Sequence, residues 1–258
     1  GGSEVNFISQ PTFEQALDRR CRATPGIALH FGTEAVDLVQ EASHVRVTLR
    51  DMATGALRTQ TARYAIGIDG ANSFVREKLG IARTDFGFEA DWLVIDFALK
   101  RGLTARDLDI PDCGQYANPK RPTTIVPGGT GPDGTVYRRW EFMLLPGEDD
   151  NVMMEPERVQ ELVGAWMKDV PYRIVRAATY RFHGLVAHQW QQGRVFLAGD
   201  AVHQTPPFFG QGMCHGLRDV ANLAWKMSEI VNRQADPAVL DTYQVERDPH
   251  VRAVIGAA

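Results

Sequence analysis

Hydrophobic and polar positions change period several times along this chain. Phe13, Ala16, Leu17 and Cys21 recur at helical spacing, and Ser9 with Pro11 supplies a start signal. Strand-like pieces come next. IALHF at 27–31 is one; in HVRVTLR, Val45, Val47 and Leu49 alternate with polar neighbours. A turn at Ala53-Thr54-Gly55 leads to a second ribbon strand from Leu57 to Ala62. The apolar stretch YAIGID ends at Asp69-Gly70. Behind it a short helix is expected, carrying Phe74, Val75 and Leu79 and stopped by Gly80.

From about Thr84 to Phe182 the pattern differs. WLVIDFAL and TVYRRWEFMLL read as strands, with Gly- and Pro-rich loops between them. Glu155 to Val170 reads as an amphipathic helix, with Val159, Leu162, Val163, Trp166, Met167 and Val170 on one stripe. RVFLAGD is a continuous apolar run, the mark of a strand buried on both faces of a parallel sheet. A long helix is expected from Gly212 to Asn232, and a last one from Leu240 to Ile255 with a break at Pro249. Nucleotide-fold pieces thus flank a β-rich middle. The expected architecture is one α/β domain, residues 1–83 and 187–258, with a β-sheet-rich substrate domain inserted at 84–186.

Composition narrows the function. Net charge over 258 residues is −4, so a nucleic-acid partner is not expected. No apolar run reaches the roughly eighteen residues of a membrane span, and GGSEVNFISQ has no basic-then-apolar signal pattern. Cys21, Cys113 and Cys214 are odd in number and far apart, which fits free thiols and a cytoplasmic location. The seven histidines show no ligand spacing such as H-E-x-x-H, so no metal is expected.

The chemistry concentrates in GDAVHQTPPFFGQGMCHGLRD, Gly199 to Asp219. A buried strand, an acid at its carboxyl end, a glycine turn and a helix form a ligand site of open α/β sheets. Asp200 is placed to accept hydrogen bonds from a sugar or ribitol hydroxyl. Gly199 stands in the turn, and Gly210 and Gly212 let a flat ligand approach the backbone. The amides near Met213 and Cys214, in the first helical turn, favour negative charge. The plainer alternative is that Asp200 caps a turn and the glycines only make it.

The run GDAVHQTPPFFGQGMCHGLRDVANLAWKM resembles the second flavin-binding motif of class A FAD-dependent aromatic monooxygenases, the p-hydroxybenzoate hydroxylase family. YAIGIDGANSFVRE resembles that family's Asp-Gly motif, through Asp69, Gly70, Ser73 and Arg76, about 130 residues upstream. QPTFEQAL, RPTTIVPGG, YRRWEFMLLPGE and TYQVERDPHVRAVI are similar to the 3-(3-hydroxyphenyl)propionate hydroxylase subgroup. The resemblance covers essentially the whole chain. It implies a Rossmann-like, glutathione reductase-type FAD-binding domain. The family's leading G-x-G-x-x-G unit, at least ~30 residues, does not occur in this sequence, which therefore looks like a piece of a longer enzyme.

The resemblance also implies a mechanism. In this family NAD(P)H reduces the flavin, and O2 then forms a C4a-hydroperoxide that transfers OH to an activated ring, usually a phenol. Asp200 would bind the FAD ribitol, and the amides at Gly212, Met213 and Cys214 would meet the flavin edge. Asp69, Gly70 and Arg76 would serve the dinucleotide, Arg76 at a pyrophosphate. Gln10 stands at the subgroup's Q-P and would touch FAD. The Pro207 carbonyl would lie nearest the peroxide, and Pro206, Pro207, Phe208 and Phe209 would build an apolar wall; core packing is the alternative for the two phenylalanines. His203, His215 and Tyr116 are candidates for the phenol's base, which stays unassigned. Arg138, facing one way with Trp140 and Phe142, would hold a substrate carboxylate; a solvated sheet face is the alternative. The expected cofactors are FAD, NAD(P)H and O2, the partner is a small phenol, and a homodimer is allowed for. Two further readings stay open: another FAD-linked oxidase, dehydrogenase or halogenase, and a non-catalytic remnant that binds an aromatic ligand.

Overall fold

A computed structural model describes residues 10–100, 102–103, 105–107, 109, 112–207 and 210–257. Helix α1 (Gln10–Arg22) precedes β1 (Thr33–Gln40), β2 (Val45–Asp51) and β3 (Leu57–Ala62). Then come β4 (Ala65–Gly67), α2 (Phe74–Lys78) and the long β5 (Arg83–Leu99). The middle holds β6 (Gly114–Tyr116), β7 (Thr123–Thr130), β8 (Val136–Met143), α3 (Asp150–Met154), α4 (Pro156–Met167) and β9 (Tyr172–Ala187). The last elements are β10 (Gln191–Gln192), β11 (Val195–Leu197), β12 (His203–Gln204), α5 (Gly212–Arg233) and α6 (Thr242–Ala257). The chain divides into two compact units: residues 30–89 with 182–258, called here the flanking unit, and 1–29 with 90–181, the insert unit.

In the flanking unit, β11 is the middle strand of the sheet β10-β11-β4. It runs parallel to β4, with Val195 opposite Ala65 and Leu197 opposite Gly67. Val195, Phe196 and Leu197 are fully buried, as the unbroken apolar run predicts. They pack with Trp190, Leu223, Ile230, Tyr243 and Val251, so α5 and α6 share the core of this sheet. Lys226 is buried on α5, donating to Thr242 Oγ1 at 2.6 Å and Glu246 Oε2 at 2.8 Å on the α6 side. That hydrogen bond and one from Asn222 hold the Glu246 carboxyl down at about 2. The meander β1-β2-β3 is antiparallel.

Gly67 explains how α2 sits on β4. A Cβ there would lie 2.7 Å from Val75 Cβ and 3.0 Å from Leu197 Cδ2. Ser73 caps α2 by accepting from Arg76 N–H at 3.0 Å, and Gly80, at φ +67°, follows its C-cap Leu79.

In the insert unit the sheet order is β9-β5-β8-β7-β6. Leu93, Ile95, Phe97 and Leu99 alternate inward from β5, and Trp140 and Phe142 from β8, onto Met153, Val159, Val163 and Met167. Phe97 meets Trp140 and Tyr172 edge-on at 5.3 and 5.1 Å between centroids.

Several expectations need correction. IALHF at 27–31 is not a strand: Phe31 is 75 % exposed, Gly26 and Gly32 take positive φ on either side, and no ladder partner occurs among the described residues. The helix expected from Glu155 to Val170 starts at Pro156, because Glu155 precedes a proline and is extended at ψ 138°; a separate α3 stands before it. Helix α6 passes through Pro249 unbroken. The carbonyl that Pro249 leaves without a helical donor belongs to Val245, 72 % exposed and so open to water. Arg138 is not on a solvated face. It is 1 % exposed, bonded to Asp112 at 3.1 Å, with its guanidinium 5.7 Å from the ring centre of core residue Trp140.

Two glycine substitutions should move stability in opposite directions. Gly67→Ala should cost about 1–3 kcal/mol by overpacking Val75 and Leu197. Gly164→Ala, in α4 where an added methyl meets nothing within 4 Å among the described residues, should gain about 0.5–1 kcal/mol. Urea unfolding of the intact protein measures both.

Candidate cofactor-binding site

Strand β11 ends at Leu197, and Gly199, at φ +60°, turns the chain into one turn of 3-10 helix, Gly199–Ala201. Only a residue without Cβ enters this turn without strain. Asp200 is exposed at its apex, at the carboxyl end of a parallel strand. After β12 the Pro207 carbonyl accepts from Gly210 N–H at 2.8 Å, Gly210 takes φ +59°, and α5 starts. His215 N–H bonds the Gln211 carbonyl at 2.8 Å, so the amides of Gly212, Met213 and Cys214 precede the first intrahelical bond.

These pieces border one groove of about 320 Å³, lined by Ile68, Gly70, Gly199, Asp200, Gly212, Met213, Gly216, Leu217 and Val220. Ile68, Met213, Leu217 and Val220 are exposed apolar side chains, and the glycines bare the backbone between them. Gly216 is one turn beyond Gly212, and a Cβ on it would lie 3.4 Å from Gly199 Cα. Helix α5 therefore reaches the turn backbone to backbone. Cys214 is a half-buried free thiol.

The other expected residues have varied surroundings. Gly70 lines the groove at φ +82°. Asp69 is exposed and turns to the start of α2, accepting from Ser73 Oγ at 2.5 Å and Val75 N–H at 3.0 Å. Arg76, expected at a pyrophosphate, is 3 % exposed and donates to the Ala201 and Ala71 carbonyls at 3.0 and 2.9 Å. Burial pushes its guanidinium below the usual arginine value. Gln10 bonds Glu14 at 2.7 Å on an exposed helix, and Tyr116 packs on Trp166; both belong to the insert unit, as do Arg138 and Trp140. Phe208 and Phe209 lie outside the described residues.

Beneath the turn is a buried polar cluster absent from the sequence reading except for its two histidines. Asp219 Oδ2 lies 2.6 Å from His203 Nε2 and accepts from Gly199 N–H at 3.2 Å; its Oδ1 accepts from Arg247 Nε at 2.9 Å. Arg247 also approaches His215 Nδ1 at 3.4 Å. An arginine only donates, so the His215 proton belongs on Nε2; contact with a carboxylate puts the His203 proton on Nε2 as well. Tyr243 donates to the Leu197 carbonyl at 2.9 Å, and burial pushes its hydroxyl well up. Burial, then the nearby His203 and Arg247, lowers His215 to about 4. Neither histidine is exposed enough to serve as a base for a substrate. The signal for the cluster was Asp219, one turn past Gly216 on the same helix face.

A model of the FAD binding domain family matches residues 1–258. The chain belongs to the FAD binding domain family. 3-(3-Hydroxy-phenyl)propionate/3-hydroxycinnamic acid hydroxylase 2 of Burkholderia vietnamiensis is 36% identical over 98% of this chain and 44% of that protein. A probable NADH-specific resorcinol 4-hydroxylase of Rhodococcus jostii is 37% identical over 96% of this chain and 45% of its own length. The chain spans under half the length of these curated relatives. Among solved structures, aklavinone-11 hydroxylase with FAD and aklavinone matches at TM-score 0.83 and 28% identity, over 96% of this chain and 46% of that one. This FAD binding domain has the mixed α/β fold of flavin-dependent monooxygenases, and its groove suits the cofactor. Glycine backbone and apolar walls suit a planar ring, and an exposed carboxylate beside them suits a polyol.

The low value of His215 carries a pH prediction. Its folded value, about 4, lies below the ordinary 6.5, so the unfolded chain binds more protons between those limits. Its contribution is complete above pH 6.5 and falls away as pH drops toward 4. Relative to His215→Gln, the unaltered protein should lose up to about 3 kcal/mol across that window. Urea titrations at successive pH values measure the difference.

Proposed function

We propose that this chain is the greater part of the flavin site of an FAD-dependent, NAD(P)H-consuming monooxygenase that hydroxylates a phenolic ring. The observation that carries the reading is the groove at the carboxyl end of β11, with Asp200 at one side and the first turn of α5 at the other. Similarity to hydroxylases named for 3-hydroxyphenylpropionate and resorcinol supports a phenol as substrate class.

Bound FAD supplies electron transfer from NAD(P)H and the activation of O2. The residues of this chain hold and tune it. Asp200 accepts hydrogen bonds from ribityl hydroxyls. The amides of Gly212, Met213 and Cys214, backed by the helix dipole, would hold the ring edge and favour negative charge there. Ile68, Met213, Leu217 and Val220 keep water from the ring. Pro206 and Pro207 close the loop beside it.

Three variants of the intact protein test this. Asp200→Ala should weaken FAD binding by roughly 1.5–3 kcal/mol, the range for a charge-assisted hydrogen bond. Among the described residues, the Cβ that Gly212→Val adds meets only Thr205 Oγ1, at 3.6 Å, so the fold should hold while the added methyls enter the groove. The flavin midpoint potential should fall, and reduction by NAD(P)H should slow more than oxidised FAD binding weakens. Cys214→Ala keeps its backbone N–H and should leave both near the starting values. A benign Gly212→Val beside an inactive Cys214→Ala would shift the role to the thiol. Phenols that stimulate NAD(P)H oxidation with a hydroxylated product identify the substrate.

A further inference from the structure

The turn that carries Asp200 is gripped at both ends by buried charged side chains. At its start, Gly199 N–H donates to Asp219 Oδ2 at 3.2 Å. At its end, the Ala201 carbonyl accepts from Arg76 Nη1 at 3.0 Å. Asp219 is fully buried and Arg76 is 3 % exposed. The two come from different elements, Asp219 from α5 and Arg76 from α2.

Each grip is itself anchored. Asp219 is held by Arg247 of α6 and His203 of β12, and Arg76 also holds Ala71, next to groove residue Gly70. Burying such charges is expensive, and a well-packed apolar set of the same volume is often as stable or more so. Stability alone therefore does not account for them. Their geometry does: both contacts are to backbone atoms of a three-residue turn, and the residue between them is Asp200. Gly199 at φ +60° would give a hinge of wide freedom if its amide were loose.

We propose that Asp219 and Arg76 are positioning residues that fix the Asp200 carboxylate for the cofactor. The proposal rests on the reading of the groove as the FAD site. Neither side chain touches the cofactor; both act through Asp200.

The test is a set of double-mutant cycles in the intact protein, with FAD added to the apoprotein and binding followed by fluorescence. Asp219→Asn removes the charge with little change of shape. Arg76→Lys keeps the charge but loses the fork of Nη1 and Nη2 that spans the Ala201 and Ala71 carbonyls, and it serves if Asp219→Asn does not fold. Each should raise the FAD dissociation constant about tenfold in the unaltered background, the loss of one charge-assisted bond. In an Asp200→Ala background the same changes should raise it less than about twofold, because the side chain they position is gone. The visible circular dichroism of FAD at saturation should also shift in Asp219→Asn, which simple loss of stability does not produce. Full tenfold effects that persist in the Asp200→Ala background, or no effect in the unaltered one, would overturn the proposal. An Asp200→Ala protein that binds FAD with unaltered affinity would overturn the assignment of the groove itself, a result visible in that single variant.

Discussion

The close approach of α5 to the Gly199 turn is the constraint on which the site depends. Gly199 and Gly216 meet with room for no more than a methyl group at contact distance. That approach brings the first turn of α5 to the end of β11, so helix amides and a strand-end carboxylate border one groove. It also brings Asp219, one turn farther along, within reach of the Gly199 amide. Larger residues at either glycine would separate the helix from the turn and undo both contacts.

The chemistry of such a site resides mostly in the backbone. Amides of a helix start and the bare surface of glycines need no particular side chain, so few residues along the groove announce themselves by type. Asp200 is the exception, and its exposed position matches that role. The side chains that look functional by type, Arg76, His203 and His215, are buried around the turn, where they brace structure.

Much of the fold was legible because periodicity reports burial. RVFLAGD reads as an inner parallel strand; Val195–Leu197 form an inner strand, parallel to β4 but antiparallel to β10, and Gly199 and Asp200 leave it for the turn. Val159, Val163 and Met167 read as a helix stripe and are buried. Alternation placed Arg138 correctly with Trp140 and Phe142, but not the environment of that face: a sheet has two faces, and alternation does not say which is covered. IALHF failed for a related reason, since strand-like composition supplies no pairing partner. In the site, the Gly-Asp turn and the Gly212 helix start were legible from local order. The Asp219 cluster was not, because Arg247 and His203 approach it from 28 and 16 residues away in sequence.

Hydrogen exchange of the intact protein, with and without FAD, addresses the groove most directly. The amides of Gly212, Met213 and Cys214 have no acceptor within their helix and should exchange fast in the apoprotein. FAD should slow them, together with the Gly199–Ala201 turn, while the β1-β2-β3 meander, which does not line the groove, stays unchanged. Bound FAD that leaves the amides of residues 212–214 exchanging at the apoprotein rate would contradict a flavin site at the start of α5.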